Sequence, residues 1–339
     1  MKQKIKAVLK FIFKTFLVIF ALACILLIYF NIPVLNENTD AKLGITFSKR
    51  YAEDIGLDWR AVYLATMDDL GARKIRIPVY WDWVEPQLGQ YDFKDLDWQV
   101  QEAQERNAEL ILVVGQKVPR WPECFIPEYL KNDDAKRKTE LVDFVRVVVS
   151  RYKNSSAVKY WQIENEPFLK FGVCPDLDTN LLDSEIAVAR QTDPSRKIII
   201  TDSGELSLWR QAISRADIFG TTMYRTIYSA KYGGFYTYPI GPRFFQFKYW
   251  MNQIFTKNDN AIVIELQAEP WIAGWTTNQP LDKQFESMNA QKLQANVSFA
   301  RQVGFPEIYL WGAEWWYWLK FGNNHPEVWD AAKVMFQSQ

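Results

Sequence analysis

Residues 159–167 read KYWQIENEP, and residues 261–265 read AIVIE. Each stretch contains an apolar run typical of a buried β-strand, and each carries a glutamate where that run ends, Glu166 in the first and Glu265 in the second. A carboxylate is costly to bury without a partner. A carboxylate at the C-terminal end of a strand in a parallel barrel avoids that cost, because the active sites of such barrels lie there. The two stretches therefore predict a barrel with paired carboxylates at one end.

From Leu43 onward, short apolar runs alternate with amphipathic stretches in eight βα units. The predicted strands are 43–47, 74–79, 109–115, 158–164, 197–201, 217–224, 261–265 and 307–312, and the helices that follow them are 59–70, 95–106, 135–152, 181–191, 206–213, 245–255, 283–302 and 326–335. Eight units in about 295 residues match a (β/α)8 barrel. An open doubly wound sheet shows the same alternation, but residues 44–48, GITFS, lack its glycine-rich dinucleotide loop. We predict the α/β class, with a single TIM barrel preceded by an N-terminal transmembrane helix.

Cleavage of a glycosidic bond requires a pair of carboxyl groups, which two different strands can supply. Period-two alternation places Glu164 and Glu166 on the same face of their strand, so spacing alone does not choose between them. Glu269 competes with Glu265 as the second carboxylate, but it lies further into the loop, where a side chain is held less rigidly.

Asn165-Glu166-Pro167 after an apolar fourth strand resembles the Asn-Glu-Pro motif of the clan A glycoside hydrolases, which are retaining (β/α)8 enzymes. The resemblance covers about residues 43–336, and residues 77–86, IPVYWDWVEP, are similar to the second-strand region of cellulase-like and β-galactosidase members. It implies that Glu166 is the general acid/base, that Asn165 bonds the sugar 2-hydroxyl, and that Glu265 at the end of strand seven is the nucleophile.

The same resemblance implies roles for three further strand-end residues. Arg76 on strand two would support the nucleophile, Tyr224 at the end of strand six would bond it, and Trp311 on strand eight would form the floor beneath the sugar. A structural ion pair is the alternative for Arg76, and an outward-facing ring is the alternative for Tyr224.

Several residues in the βα loops are candidate sugar contacts. The clan often places histidines after strands three and six, and this sequence has none there, which leaves the exact family and the substrate open. The candidates are Gln116, near the strand-three position, together with Trp81, Trp83, Trp121, Trp271 and Glu314. For any single tryptophan, a place in the core is the alternative.

The N-terminus carries a candidate membrane anchor. Five lysines lie within residues 1–14, and residues 15–30 contain no charge. With its flanks this run approaches the roughly 20 residues that span a bilayer, and the lysines favour a cytoplasmic N-terminus. We expect a cytoplasmic basic segment over 1–14, a signal-anchor over 15–35, a tether over 36–42 and an extracytoplasmic barrel domain over 43–339. A cleaved signal peptide is the alternative.

Outside the cytoplasm a disulfide is allowed. Cys124 and Cys174 follow the third and fourth predicted strands, which are neighbours in a barrel, so we predict a bridge between them. Two unpaired thiols are the alternative.

Composition excludes several other functions. Acidic and basic residues balance at 40 each, which gives no reason to propose a nucleic acid partner. The single histidine, His325, disfavours a Ser-His-Asp triad and a histidine-rich metal site. We predict a membrane-anchored, monomeric, retaining hydrolase of β-linked glycans or oligosaccharides that needs no metal or organic cofactor. A transglycosylase of the same mechanism and a non-catalytic glycan-binding barrel are the alternatives.

Overall fold

Eight parallel strands close into a barrel in the computed structural model, which describes residues 2–338. Around the barrel the order is β1-β2-β3-β4-β5-β6-β9-β10, and β10 pairs with β1. The strands are β1 Lys42–Thr46, β2 Lys74–Pro78, β3 Glu109–Val114, β4 Val158–Ile163, β5 Ile198–Asp202, β6 Ile218–Met223, β7 Thr226–Ser229, β8 Gly234–Thr237, β9 Ala261–Gln267 and β10 Glu307–Trp311. The predicted α/β TIM barrel is confirmed. Strands β7 and β8 form an antiparallel hairpin outside the barrel.

Helix α1, Lys2–Asn31, precedes the barrel, and the other helices lie between or after the barrel strands and form the outer layer. They are α2 Lys49–Asp54, α3 Trp59–Asp68, α4 Trp81–Val84, α5 Lys94–Glu105, α6 Asp134–Tyr152, α7 Thr179–Thr192, α8 Arg210–Ile213, α9 Pro242–Thr256, α10 Leu281–Ser287, α11 Ala290–Val303, α12 Ala313–Tyr317 and α13 Glu327–Gln337. The predicted helix 283–302 is two helices, because the extended backbone of Asn289 interrupts it and the Asn289 side chain caps α11 by accepting from the Lys292 N–H.

The barrel interior is filled by large side chains from facing strands. A buried cluster there contains Ile111, Ile199, Ile218, Ile262, Ile264 and Tyr309. The Tyr309 ring occupies the space beside Gly44, where an added Cβ would lie 2.6 Å from the Tyr309 ring and 2.9 Å from the Lys74 carbonyl oxygen. Glycine at position 44 therefore makes room for the aromatic ring that β10 contributes.

The predicted disulfide is present, since Cys124 and Cys174 are joined with their Cα atoms 5.2 Å apart. The bridge closes a loop across a sequence separation of 50 and ties the segment after β3 to the segment after β4. Both segments lie at the C-terminal ends of their strands, so the bridge fixes loops at one end of the barrel.

Within residues 2–338, one helix is long and apolar enough to cross a membrane, namely α1. The apolar window of α1 is exposed, and the helix contacts the barrel through α9 near its C-terminal end, where Phe30 packs on Phe244. A signal sequence would pass the same test of length and composition. Met1 of the predicted cytoplasmic segment and Gln339 of the predicted barrel domain lie outside the described residues.

The substitution Gly44→Ala tests the packing of the barrel interior. Because the new methyl group would overlap both the Tyr309 ring and a backbone oxygen, we expect a loss of about 1–3 kcal/mol in the free energy of unfolding. Denaturant unfolding measures it. The matched control is Gly234→Ala in the hairpin, where an added Cβ meets no atom within 4 Å. Equal unfolding midpoints for the two variants would contradict this account.

Candidate active site

Glu265 and Glu166 lie together at the C-terminal end of the barrel. Glu265 lies on β9, directly opposite Thr222 of β6 in the sheet register. The Thr222 hydroxyl donates to Glu166 Oε1 at 3.0 Å, and Glu166 follows the end of β4 by three residues. One threonine therefore contacts one carboxyl group and pairs through its backbone with the residue that carries the other.

Two donors hold the Glu265 carboxylate. Arg76 Nη1 of β2 lies 2.7 Å from Glu265 Oε2, and the Tyr224 hydroxyl donates to Glu265 Oε1. The Arg76 side chain is fully buried, and it also donates to Asn165 Oδ1 at 2.7 Å and to Gln162 Oε1 at 2.8 Å. A charge-assisted pair of this kind places a fixed cation against one carboxylate of the site. The alternative of an outward-facing ring does not apply to Tyr224.

Glu166 has different surroundings. Its backbone N–H donates to Thr201 Oγ1 at 2.8 Å, and its carbonyl oxygen accepts from Lys117 Nζ at 3.0 Å, so the main chain is held on both sides. Burial and then the charges of Glu265 and Glu123 raise the pKa of Glu166 well above its usual value. The raised pKa favours the protonated form of Glu166, next to a Glu265 carboxyl group that is paired with a guanidinium.

The backbone after β4 separates Glu164 from Glu166. The strand ends at Ile163, and both glutamates have positive φ, 57° at Glu164 and 44° at Glu166, so period-two alternation no longer applies. The Glu164 carboxylate accepts the backbone N–H groups of Gln116 at 2.9 Å and Lys117 at 2.6 Å. It orients the loop after β3 and takes no place beside Glu265.

Glu164 also meets a second buried carboxyl group, that of Glu185 on α7. Burial and then the neighbouring Glu164 charge raise the pKa of Glu185 well above its usual value, and burial raises the pKa of Glu164 as well. A proton shared between the two carboxyl groups removes the repulsion that two adjacent buried charges would create.

Glu123 is a third carboxyl group of the site that the sequence did not reveal. It lies in the loop after β3, next to the bridged Cys124, and Asn165 Nδ2 donates to its Oε2 at 3.3 Å. Burial raises the pKa of Glu123 to about 8, with Lys117 opposing the rise and Glu265 adding to it. Its position follows from the fold of the loop. The one signal in the sequence was the adjacent cysteine.

Arg120 holds two further carboxylates beside the site. Its guanidinium lies between the rings of Tyr51 at 3.7 Å and Trp311 at 3.9 Å, and it pairs with both Glu269 and Glu314. Trp311 Nε1 also donates to Glu269 Oε1 at 2.8 Å. Glu269, the alternative to Glu265, is thus held by an arginine and an aromatic donor, as Glu265 is by Arg76 and Tyr224.

Three residues that we predicted to contact a sugar, Trp81, Glu314 and Gln116, are engaged elsewhere in the structure. Trp81 is fully buried, stacks on Phe144 and donates from Nε1 to Glu85 at 2.8 Å, so its ring cannot reach a sugar and the prediction was wrong. Glu314 is also fully buried, where it accepts the Ser48 N–H and pairs with Arg120, so that prediction was wrong too.

Gln116 is engaged away from the paired carboxyls, because its side-chain oxygen accepts from Arg137 of α6. We therefore do not expect it to contact a sugar held between Glu166 and Glu265. Trp271, by contrast, is half-buried beside the Tyr224 ring, at a centroid distance of 4.8 Å, where a role in binding sugar stays a prediction.

The comparisons with known proteins give a consistent result. The family model for cellulase (glycosyl hydrolase family 5) matches residues 47–229. The fold is similar to that of xylanase 10B from Thermotoga petrophila RKU-1 in complex with xylobiose, with a TM-score of 0.55 and 14% identity over 88% of this chain and 95% of that one. It is also similar to a β-galactosidase from the psychrophilic Marinomonas ef1, with a TM-score of 0.55 and 13% identity over 87% of this chain and 59% of that one.

A polyextremophilic β-galactosidase from the Antarctic haloarchaeon Halorubrum lacusprofundi gives a TM-score of 0.53 and 16% identity over 79% of this chain and 52% of that one. This chain therefore spans between half and three fifths of the length of these two β-galactosidases. At such identities the likeness shows a shared fold.

The substitution Glu185→Gln tests the shared proton. Between the unfolded pKa of a glutamate, about 4.3, and the raised folded pKa, the native state keeps a proton that the unfolded state has lost, so wild-type stability falls with rising pH. Glutamine removes this slope and can still donate to Glu164. Above pH 5, we expect the free energy of unfolding of the variant, relative to that of the wild type, to rise by up to about 1.4 kcal/mol per pH unit. Denaturant unfolding at a series of pH values measures this difference.

The exposed Glu286→Gln serves as the control, and its stability difference from the wild type should not change with pH. A Glu185→Gln difference that is equally flat would show that Glu185 holds no proton in the folded protein.

Proposed function

The chain belongs to the cellulase family of glycosyl hydrolases, family 5, and on that premise we propose that it hydrolyses a β-linked glycan or oligosaccharide with retention of configuration. The observation that supports this most is the contrast between two adjacent carboxyl groups. Glu265 has a buried guanidinium at 2.7 Å, whereas burial and then the charges of Glu265 and Glu123 raise the pKa of Glu166 and favour its protonated form. Double displacement requires one carboxylate and one carboxylic acid at the same bond.

In the first step, Glu265 Oε attacks the anomeric carbon and forms a glycosyl ester. The bond from that carbon to the leaving oxygen breaks, and Glu166 gives its proton to the oxygen. In the second step, the Glu166 carboxylate takes a proton from water while the water oxygen attacks the anomeric carbon. The ester bond breaks, and both glutamates return to their starting states. Retention needs a carboxyl separation of about 5–5.5 Å, which we expect for this pair.

We propose that Asn165 binds the sugar through its Nδ2 amide group. Its Oδ1 accepts from Arg76 at 2.7 Å and from Gln162 at 3.3 Å, which leaves Nδ2 as the donor directed toward Glu123. A sugar 2-hydroxyl that accepts from Nδ2 would lie between the loop after β3 and the end of β4. Hydrogen bonds to the 2-hydroxyl strengthen in the transition state of this reaction.

Aromatic rings beside Tyr224 would supply the apolar faces on which sugar rings stack. Trp271 contacts Tyr224 on one side and Phe171 on the other, and the exposed Trp121 lies 6.1 Å from Phe171 between ring centroids. We propose that this row lines the cleft. Trp311, whose ring lies against Arg120, would form the floor beneath the cleaved sugar.

We also propose that α1 is an uncleaved single-pass anchor with the barrel domain outside the cytoplasm. The disulfide between Cys124 and Cys174 supports an oxidising compartment, and the N-terminal lysines favour a cytoplasmic start. Residues 36–42 would then connect the anchor to the barrel.

A panel of activated 2-fluoro glycosides tests the nucleophile. These reagents form the ester but react slowly in the second step, so we expect one added glycosyl mass, located by peptide mapping on Glu265. The same experiment identifies the preferred sugar. Label on Glu269 would overturn the assignment, and the absence of label together with measurable glycan binding would favour a non-catalytic barrel.

The acid/base is tested by steady-state hydrolysis assays. Glu166→Ala should lower kcat on natural glycans by about 10²–10⁴-fold, with a smaller loss on substrates that have good leaving groups and recovery by azide. Unchanged hydrolysis of natural glycans in this variant would remove Glu166 from the mechanism.

The substitution Glu123→Gln tests the electrostatics of the acid. Near and above pH 8, where Glu123 ionises, its negative charge helps to raise the pKa of Glu166, so its removal lowers that pKa. Because hydrolysis needs protonated Glu166, we expect the basic limb of the kcat/KM profile to move to lower pH by up to about one unit. Glu128→Gln, exposed in the same loop, is the control and should leave the limb in place. An unmoved limb in Glu123→Gln would contradict the proposed coupling.

A further inference from the structure

Helix α9 carries an exposed apolar face that the reaction does not use. Phe247, Trp250, Met251, Ile254 and Phe255 follow the spacing of one helix face, and we call this set the α9 stripe. Trp250, Ile254 and Phe255 are 54%, 55% and 58% exposed. Large apolar side chains grouped in this way are uncommon on a surface that faces only water.

The α9 stripe begins where the N-terminal helix ends. The Phe247 ring lies 5.6 Å from the Phe30 ring of α1, and Trp250 continues the row at 5.7 Å from Phe247. Hydrogen bonds fix this junction, since Arg243 Nε donates to the Ile32 carbonyl at 3.0 Å and Asn31 Nδ2 donates to the Pro239 carbonyl at 3.1 Å. The apolar surface of α1 is therefore continuous with that of α9.

A neighbouring loop extends the same surface. Leu206 and Leu208 are exposed, and Asn252 Nδ2 of α9 donates to the Leu208 carbonyl at 3.1 Å. The Arg210 guanidinium lies 4.6 Å from the centre of the Phe255 ring. Tryptophan and phenylalanine mixed with arginine are typical of surfaces that lie at the boundary between lipid headgroups and acyl chains.

We propose that the α9 stripe lies in the interfacial layer of the same bilayer that α1 spans. The inference rests on the proposed anchor. The bilayer is the occupant that the junction with α1 favours, because a spanning α1 places Phe30 and Phe247 at the edge of the membrane. The barrel is then held against the lipid along one helix and does not swing freely on the tether.

The test uses the full-length chain in phosphatidylcholine–phosphatidylglycerol vesicles, with Cys24→Ser so that one thiol can be labelled. Trp250→Cys carries an environment-sensitive fluorophore. We expect blue-shifted emission and quenching of at least about twofold by lipids that carry a doxyl group near the headgroup. The control is the same label at Val334→Cys on α13, which is also apolar and 69% exposed. The label at position 334 should show the emission spectrum of the same fluorophore in water.

Adding Ile254→Glu and Phe255→Glu to the labelled chain should abolish the quenching, while flotation with vesicles and hydrolysis of a soluble aryl glycoside persist. If the labels at positions 250 and 334 show the same emission and quenching while the protein still floats with vesicles, the proposal is overturned and the anchor is retained. A protein that does not float overturns both, whereas the hydrolysis assay tests the catalytic proposal separately. A blue-shifted label without doxyl quenching, together with a doubled mass in detergent, would assign the stripe to a second copy of the chain and overturn the proposal.

Discussion

The buried guanidinium of Arg76 is the constraint on which the catalytic end of the barrel depends. A charge that has no access to water must be paired and fully hydrogen-bonded, or the fold loses several kcal/mol. Arg76 satisfies this requirement with Glu265 of β9, Gln162 of β4 and Asn165 just beyond β4. One side chain on β2 thus ties the end of β4 to Glu265 on β9, while Glu166 is held separately by Thr201, Lys117 and Thr222.

The other carboxyl groups at this end of the barrel differ in whether a cation or a raised pKa compensates for their burial. Glu269 and Glu314 share the guanidinium of Arg120, which the rings of Tyr51 and Trp311 enclose. Glu185 and Glu166 instead have a strongly raised pKa because they are buried among other carboxyl groups. With so many carboxyl groups at one end of the barrel, some must be ionised and paired with cations while others stay protonated, if one is to act as a carboxylate and another as an acid.

Much of the fold could be predicted from the sequence, because buried strands and amphipathic helices leave patterns that depend only on neighbouring residues. The pairing of Cys124 with Cys174 followed from adjacent strand ends, and the roles expected for Arg76 and Tyr224 agree with their contacts to Glu265. The hairpin β7–β8 escaped prediction because its short strands lie between a barrel strand and its helix. Spacing alone could not separate Glu164 from Glu166, since positive φ after β4 leaves no mark in the pattern of residue types. Trp81 was misplaced because the composition of a loop does not say which ring turns inward onto Phe144.

The direction in which α9 runs has a consequence for how substrate would reach the cleft. Helices of a (β/α)8 barrel run antiparallel to the strands, so α9 starts at the rim that holds Glu166 and Glu265 and descends along the outer wall. If the outer surface of α9 rests on lipid, the barrel lies on its side, and its mouth opens parallel to the membrane plane. Polymer strands lying flat over the cell surface could then enter edge-on, whereas chains that approach from directly above would meet the flank of the barrel.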